Sequence, residues 1–415
     1  MKRLLFFFLA ILPVSLLGAQ DFNTSPKYSD ELTDSLIDEL AVADSLPWPL
    51  NVQTRVAEML MDPMFETSQV GLMVYDLTDD MMLTGHQERL LLRPASTMKL
   101  LTAITAIDLL GGSYQFRTSL YYKGTISNHT LRGDLFCVGG MDPAFDGDDM
   151  QAFVESLRRL GVDTLRGRIV ADVSMKDTLR YGKGWCWDDD NPVLSPLLIS
   201  KDDHFTARFI DELTDDGIVI DTISLARGTL PADAEWVCSR SHTIDQILTR
   251  MMKESDNLYA ESMFYQIAAY SGRRPARDTD AKIYMRQLIR RLGLDPEGYR
   301  LADGSGLSLY NYLSAELETL LLRYAWQHHH IRHYLLPSLP IAGEDGTLKK
   351  RMHSRYTSGN VRAKTGTLTG ITSLAGYCTA ANGHELCFAI INQGELSNSK
   401  ARRFQDRLCN ALCQP

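Results

Sequence analysis

The stretch "RPASTMKLLT", Arg93 to Thr102, decides how the chain is read. It puts Ser96 three residues before Lys99, at the start of an apolar run. Pro94 suits the opening of a helix, because the N–H it lacks is one that a first turn leaves unpaired. Leu100, Leu101, Ile104, Ile107 and Leu110 then cover most of the helix surface, and Gly111-Gly112 ends it. A helix that is apolar nearly all round is buried. Ser96 is therefore expected at the N-terminus of a central helix, with Lys99 one turn on and on the same face. A nucleophile beside its base would look like this, and so would an ordinary polar first turn. The pair alone does not separate the two, and the context has to.

Before this helix, "QVGLMVY" (69–75) reads as a strand, "DLTDD" as a turn and "MMLTGH" as its partner strand. After it the texture changes to short strands, glycine-rich turns and acidic clusters such as "GGMDPAFDGDD" and "WCWDDDN". Helical periodicity returns at Thr243 with Ile244, Ile247, Leu248, Met251 and Met252. Strands around 361–369, 372–379 and 385–392 and a last helix near 400–412 close the chain. The organisation expected is a catalytic domain split into residues 50–121 and 241–415, with residues 122–240 forming a small inserted domain. The fold class is mixed α and β.

Ahead of residue 50 lie two segments of another kind. Lys2 and Arg3 precede the apolar run Leu4 to Leu17, and Gly18 and Ala19 follow, the three-part pattern of a secretory signal over residues 1–19. Residues 20–49 are acidic and polar and read as an N-terminal arm. A retained anchor needs about 20 apolar residues, more than this run supplies. The mature chain is expected to be exported, without an integral membrane anchor. Of the 415 residues, 44% are hydrophobic, and the formal charge is −9. That acidic balance, with no basic run, argues against nucleic acid as a partner.

Two further motifs follow Ser96 in order. "KESDNLYAE" holds Ser255, Asp256 and Asn257 between two helices, and "RAKTGTLTG" holds Lys364, Thr365 and Gly366 on a strand. Helix start, inter-helix loop and strand, in this order, form the combination used by serine enzymes that react with penicillin. The chemistry explains the residue types. A serine hydroxyl is a poor nucleophile until a neighbour takes its proton. Lys99 can do so only when neutral, and burial beside a second cation, Lys364, would lower its pKa. Ser255 then relays a proton to the leaving amine, and Asn257 orients Lys99 and the substrate amide. Lys364 and Thr365 hold a terminal carboxylate, and Gly366 lets the strand approach the helix. The backbone N–H groups of Ser96 and Thr367 would form an oxyanion hole.

On these motifs the chain resembles the penicillin-binding protein 4 family of D-alanyl-D-alanine carboxypeptidases and endopeptidases, the S13 serine peptidases. "DGSGLS" (303–308), "LPIAGEDGTLKKRM" (339–352), "GGMDP" and "GKGWCWDDDNPVLSP" are similar to further segments of that family. The resemblance runs from about Gly71 to Gln393. It implies a penicillin-binding-protein/β-lactamase-like catalytic domain, an antiparallel sheet flanked by helices. It also implies action on peptidoglycan stem peptides, acylation by β-lactam antibiotics, a periplasmic location and no cofactor. Two departures stand out. Leu309 replaces a basic residue frequent in the family, and the stretch from Ser96 to Ser255 is short, as if one of two inserted domains were missing. The alternatives are a serine β-lactamase and an inactive penicillin-recognising protein. The first needs a glutamate in an E-x-x-L-N loop, and Glu297 has no asparagine at that spacing. The second is disfavoured because Ser96, Lys99, Ser255 and Lys364 are all present.

Several residues are read against blander roles. Asp142 is a candidate to face the substrate's amine. His328-His329-His330 with His333 read as a solvated helix end, and no metal site is expected. Trp185 and Trp187 read as core or domain-contact residues. Taking Asn382-Gly383 as a two-residue hairpin turn sets Cys378 opposite Cys387 in a non-hydrogen-bonded pair. Their Cα atoms would then lie about 4.5 Å apart, within reach of a disulfide. Free thiols under the last helix, beside Cys409 and Cys413, are the competing arrangement.

Overall fold

The computed structural model describes residues 46–415. The signal segment and residues 20–45 of the arm lie outside them. Two five-stranded sheets organise the rest. The first is antiparallel and joins the two ends of the chain. Strands β1 (Gln69–Asp76), β2 (Met81–His86), β8 (Arg362–Leu368), β9 (Ile371–Thr379) and β10 (Glu385–Gln393) lie in the order β2-β1-β10-β9-β8. β9 and β10 are buried almost throughout, which is why both are apolar runs rather than alternating ones. One face packs on a helical core that includes α2 (Met98–Leu110) and α6 (Asn257–Ala269). The other face packs on α1 (Leu50–Met59) and α10 (Asn398–Cys413).

The second sheet uses β3 (Gln115–Ser127), β4 (Thr130–Val138), β5 (Thr164–Asp172), β6 (Val219–Arg227) and β7 (Glu235–Thr243), in the order β6-β5-β4-β3-β7. β4, β5 and β6 are parallel, joined through α3 (Gly147–Arg159) and α4 (Phe205–Asp215). Phe145, Phe153, Phe205 and Phe209 fill the core between these helices and the sheet. The segment adds no strand to the first sheet. Its limits are wider than the composition shift implied, however. Gln115 pairs with Thr243, so boundaries at 121/122 and 240/241 fall inside β3 and β7.

Two local expectations are corrected. The helix after Pro94 starts one turn late, at Met98, preceded by a 3-10 turn over Ala95–Thr97. The cause is Ala95, whose φ of 50° lies in the left-handed region and breaks the helix before Ser96. The hairpin between β9 and β10 has a three-residue loop. Ala380 N–H donates to the His384 carbonyl at 2.8 Å, and Gly383 takes a left-handed φ of 88°. This shifts the register by one residue, so Cys378 pairs with Leu386 and Cys387 with Tyr377. A one-residue slip moves side chains to opposite faces. Cys387 joins the helical core, and Cys378 joins Cys409 and Cys413 under α10. All seven cysteines are free.

Candidate active site

The three motifs meet where α2, the loop before α6 and the edge strand β8 converge. Lys99, fully buried in the first turn of α2, has three partners. Its Nζ lies 2.9 Å from Ser96 Oγ, 2.8 Å from Asn257 Oδ1 and 2.8 Å from the Ser305 carbonyl. The last two can only accept. A neutral amine has two N–H donors and one lone pair. Asn257 and Ser305 use both donors, and the lone pair is left facing the Ser96 hydroxyl. Burial pushes the Lys99 pKa down to about 8, although Asp303, Glu261 and Asp256 pull it back up.

Lys364 is also fully buried and donates to Ser255 Oγ at 2.8 Å and to the Thr365 carbonyl at 2.7 Å. Burial pushes it well below the usual lysine range, and the charge of Lys99 pushes it further. The expected direction for Lys99 thus holds, with burial as the largest cause, and the like charges of the two buried lysines disfavour a proton on both at once.

Backbone strain sits at both serine turns. Ser255 has φ 60°, and Ala95 beside Ser96 has φ 50°. Asp256 caps α6 by accepting from the N–H groups of Leu258 and Tyr259, which sets Asn257 as its first residue, one face away from the cap. Gly366 has no room for a side chain. A Cβ there would lie 2.0 Å from Ser373 Oγ, 2.8 Å from the Pro94 carbonyl and 2.9 Å from Ser96 N. The strand can therefore run against the serine turn only as glycine. Thr365 bonds Thr347 Oγ1 at 2.8 Å, and the exposed Thr367 accepts from Arg402 at 3.2 Å.

Asp142 does not join this cluster. It is fully buried, accepts from Ala144 N–H and pairs with His242 Nδ1 at 2.8 Å. Burial raises its pKa, and both oxygens are committed inside the protein. Trp185 reaches across from the second-sheet segment, its Nε1 donating to Asp303 at 2.8 Å. Trp187, by contrast, is 94% exposed and belongs to no core. The same segment touches the "DGSGLS" loop again through Ser308 Oγ, which donates to the Lys183 carbonyl. A cavity of about 440 Å³ opens beside Ser255 and Asn257, walled on its other side by Asp190, Asn191, Lys201 and Asp202.

Two supports of Lys99 were not singled out from sequence. Asp303 takes the N–H groups of Gly306 and Ser308 and the Asn311 amide, besides Trp185. Glu261, buried on α6, accepts from the N–H groups of Gly304 and Ser305 at 3.0 and 2.8 Å. A signal for Glu261 exists. It lies four residues after Asn257, on the same face of a buried helix in which it is the one charged residue.

The sequence pattern of the D-Ala-D-Ala carboxypeptidase 3 (S13) family matches residues 52–199 and 198–414. The chain belongs to this family. Its members are serine-peptidase hydrolases, and the two matched pieces meet inside the second-sheet segment, between the first two motifs. A D-alanyl-D-alanine carboxypeptidase of Actinomadura is 27% identical, covering 92% of this chain and 85% of that protein. The D-alanyl-D-alanine carboxypeptidase DacB of Haemophilus influenzae is 25% identical, covering 90% and 96%. The crystal structure of penicillin binding protein 4 from Haemophilus influenzae superposes with a TM-score of 0.80 over 87% of this chain and 99% of that one, at 23% identity. A predatory endopeptidase from Bdellovibrio bacteriovorus gives 0.56 at 16% identity over 82% and 91%, a likeness of fold.

Proposed function

We propose that this protein is an exported D,D-peptidase of peptidoglycan stem peptides, working through an acyl-enzyme on Ser96. One observation carries the reading. Lys99 Nζ is 2.9 Å from Ser96 Oγ, and its two other partners are both acceptors. The lone pair of the neutral amine takes the hydroxyl proton as Oγ attacks the carbonyl between the last two D-alanines. The oxyanion is received by the N–H groups of Ser96 and Thr367. The C–N bond then breaks, and the proton passes through Ser255 or back from Lys99 to the leaving amine. Water hydrolyses the ester, again with Lys99 as base. When the leaving amine is free D-alanine the reaction is a carboxypeptidase step. When it is the side-chain amine of a cross-link the same atoms perform an endopeptidase step.

Lys364 and Thr365 receive the substrate's terminal carboxylate. An arriving carboxylate favours the charged form of Lys364, and that charge in turn disfavours a proton on Lys99. Substrate binding thereby prepares the base. A penicillin carries the equivalent carboxylate and a reactive amide, and its acyl-enzyme on Ser96 should be released slowly. We take residues 115–243 as a unit inserted into the catalytic domain, and residues 1–19 as the export signal that delivers the protein to the periplasm.

The test is product analysis. Purified protein given a pentapeptide ending in D-Ala-D-Ala should release D-alanine, and cross-linked muropeptides report the endopeptidase share. Rapid turnover of penicillin with no release of D-alanine would instead indicate a β-lactamase.

A further inference from the structure

We propose that Glu261 is a positioning residue for Lys99, acting through the peptide unit of Ser305; this rests on the reading of Ser96 and Lys99 as nucleophile and base. The base needs both of its N–H donors held, or its lone pair does not stay on Ser96. One donor goes to Asn257, a side chain on the first turn of α6. The other goes to the Ser305 carbonyl, which belongs to a loop of glycines and serines (Asp303–Ser308) with no regular structure of its own. A carbonyl in such a loop is only as fixed as its neighbouring peptides.

Glu261 supplies the fixing. It lies one turn after Asn257 on α6, is 1% exposed, and takes the two consecutive N–H groups of Gly304 and Ser305 on one carboxylate oxygen. The two peptide units leading to the carbonyl that holds Lys99 are thus anchored to the same helix as Asn257. Asp303 holds the peptide unit of the Ser305 carbonyl itself through the Gly306 N–H, and the far side of the loop through Ser308, so Glu261 fixes the two units that lead into it. Both acceptors of the base are referenced to α6, and Lys99 itself to α2. Gly304 fits this arrangement, since a Cβ there would lie 2.5 Å from Phe264 Cβ and hold the loop off the helix.

The carboxylate acts on Lys99 by charge as well. The groups facing this cluster are Lys99 from α2, Lys364 from β8, Asp256 and Tyr265 from α6, Asp303 from the loop, and Lys176 from the second-sheet segment. Burial and the Asp303 charge raise Glu261 to about 8, the range in which Lys99 titrates. The anion that forms there stabilises a proton on Lys99. Removing it lowers the pKa of Lys99, so the neutral base appears at lower pH.

Two variants separate the contributions. Glu261→Gln keeps an acceptor for both N–H groups and removes the charge. Glu261→Ala removes both. The probes are labelled penicillin, read as acylation rate against pH, and a pentapeptide ending in D-Ala-D-Ala, read as kcat and KM. Wild-type labelling at Ser96 is measured first, because its absence would remove the underlying reading and leave nothing to position. Given that labelling, Glu261→Ala should lose about tenfold in kcat with KM kept, the scale of one buried hydrogen bond to the base. Glu261→Gln should recover most of that loss, with the rising limb of its pH profile moved down by a fraction of a unit, because Glu261 is itself only part-ionised where Lys99 titrates. A residue that only holds the fold would lower the thermal midpoint and leave the limb in place. Glu261→Gln that folds with an unmoved limb and acylates no faster than Glu261→Ala overturns the proposal, as does Glu261→Ala acylating at the wild-type rate.

Discussion

The two sheets relate to the active site in opposite ways. β8, the edge of the first sheet, presents Lys364, Thr365 and Gly366 in succession; Lys364 meets Ser255, Gly366 lies against the Ser96 turn, and Thr365 bonds Thr347 of the neighbouring loop. The second sheet stands apart and reaches the site through loops. Trp185 and the Lys183 carbonyl hold the Asp303–Ser308 loop, and Lys201 pairs with Asp256 at 3.1 Å. On the proposed mechanism one region supplies reacting groups, and the other braces the backbone around them. Substitutions in the first should therefore cost chemistry. Those in the second should cost little unless they touch the brace.

The largest effect is expected at the base. Lys99→Ala should slow acylation by about 10²- to 10⁴-fold, the usual worth of a positioned general base. In the wild type the acylation rate should rise with pH through about 8, because the proposed mechanism makes the neutral amine the active form and burial pushes the Lys99 pKa down to about 8. A rate that falls over that range would assign the lysine another role. Gly366→Ala comes next. Its Cβ would meet Ser373, Pro94 and Ser96, two of them through backbone atoms, so the strand must move off the serine turn. A loss of roughly 1–3 kcal/mol in stability, read by denaturant titration, should accompany slower acylation.

Trp185→Phe tests the brace. It keeps the ring and loses the Nε1–Asp303 bond, about 1 kcal/mol, and should lower kcat several-fold with a small fall in thermal midpoint. An unchanged kcat would mean that the second-sheet segment does not support the site. The smallest effect is expected at Trp236, 61% exposed on β7. Trp236→Ser should shift stability by no more than about 0.5 kcal/mol and leave acylation alone. If it matched Trp185→Phe, the contrast between brace and bystander would fail.

Legibility in the sequence follows the same division. The residues that meet at the site were visible as types: serine, lysine and asparagine in three motifs, with glycine where two backbones touch. The strands of the first sheet were legible within a residue or two. β1, β9 and β10 are buried nearly throughout and read as apolar runs, while β2 and β8 were read from the turns and the motif beside them. Backbone conformation was not legible. Nothing in the letters of Ala95 announces a left-handed φ, so the helix was started one turn early. Asn382-Gly383 suggested a two-residue turn, and a three-residue loop won, which put Cys378 and Cys387 on opposite faces of the sheet. Asp142 failed for a related reason. An aspartate in a glycine-rich loop looks available, and only the fold shows that His242 has already taken it. Glu261 was hidden in a helix whose apolar neighbours masked the one charge that mattered.

The claim at the centre is that Ser96 is the nucleophile and that Lys99, held by Asn257 and Ser305, is its base. Labelled penicillin followed by peptide mapping tests it most directly. The account predicts one covalent adduct, on the peptide carrying Ser96, formed quickly and released slowly, and absent from Ser96→Ala. An adduct that persists in folded Ser96→Ala, or that maps to another residue, would contradict it.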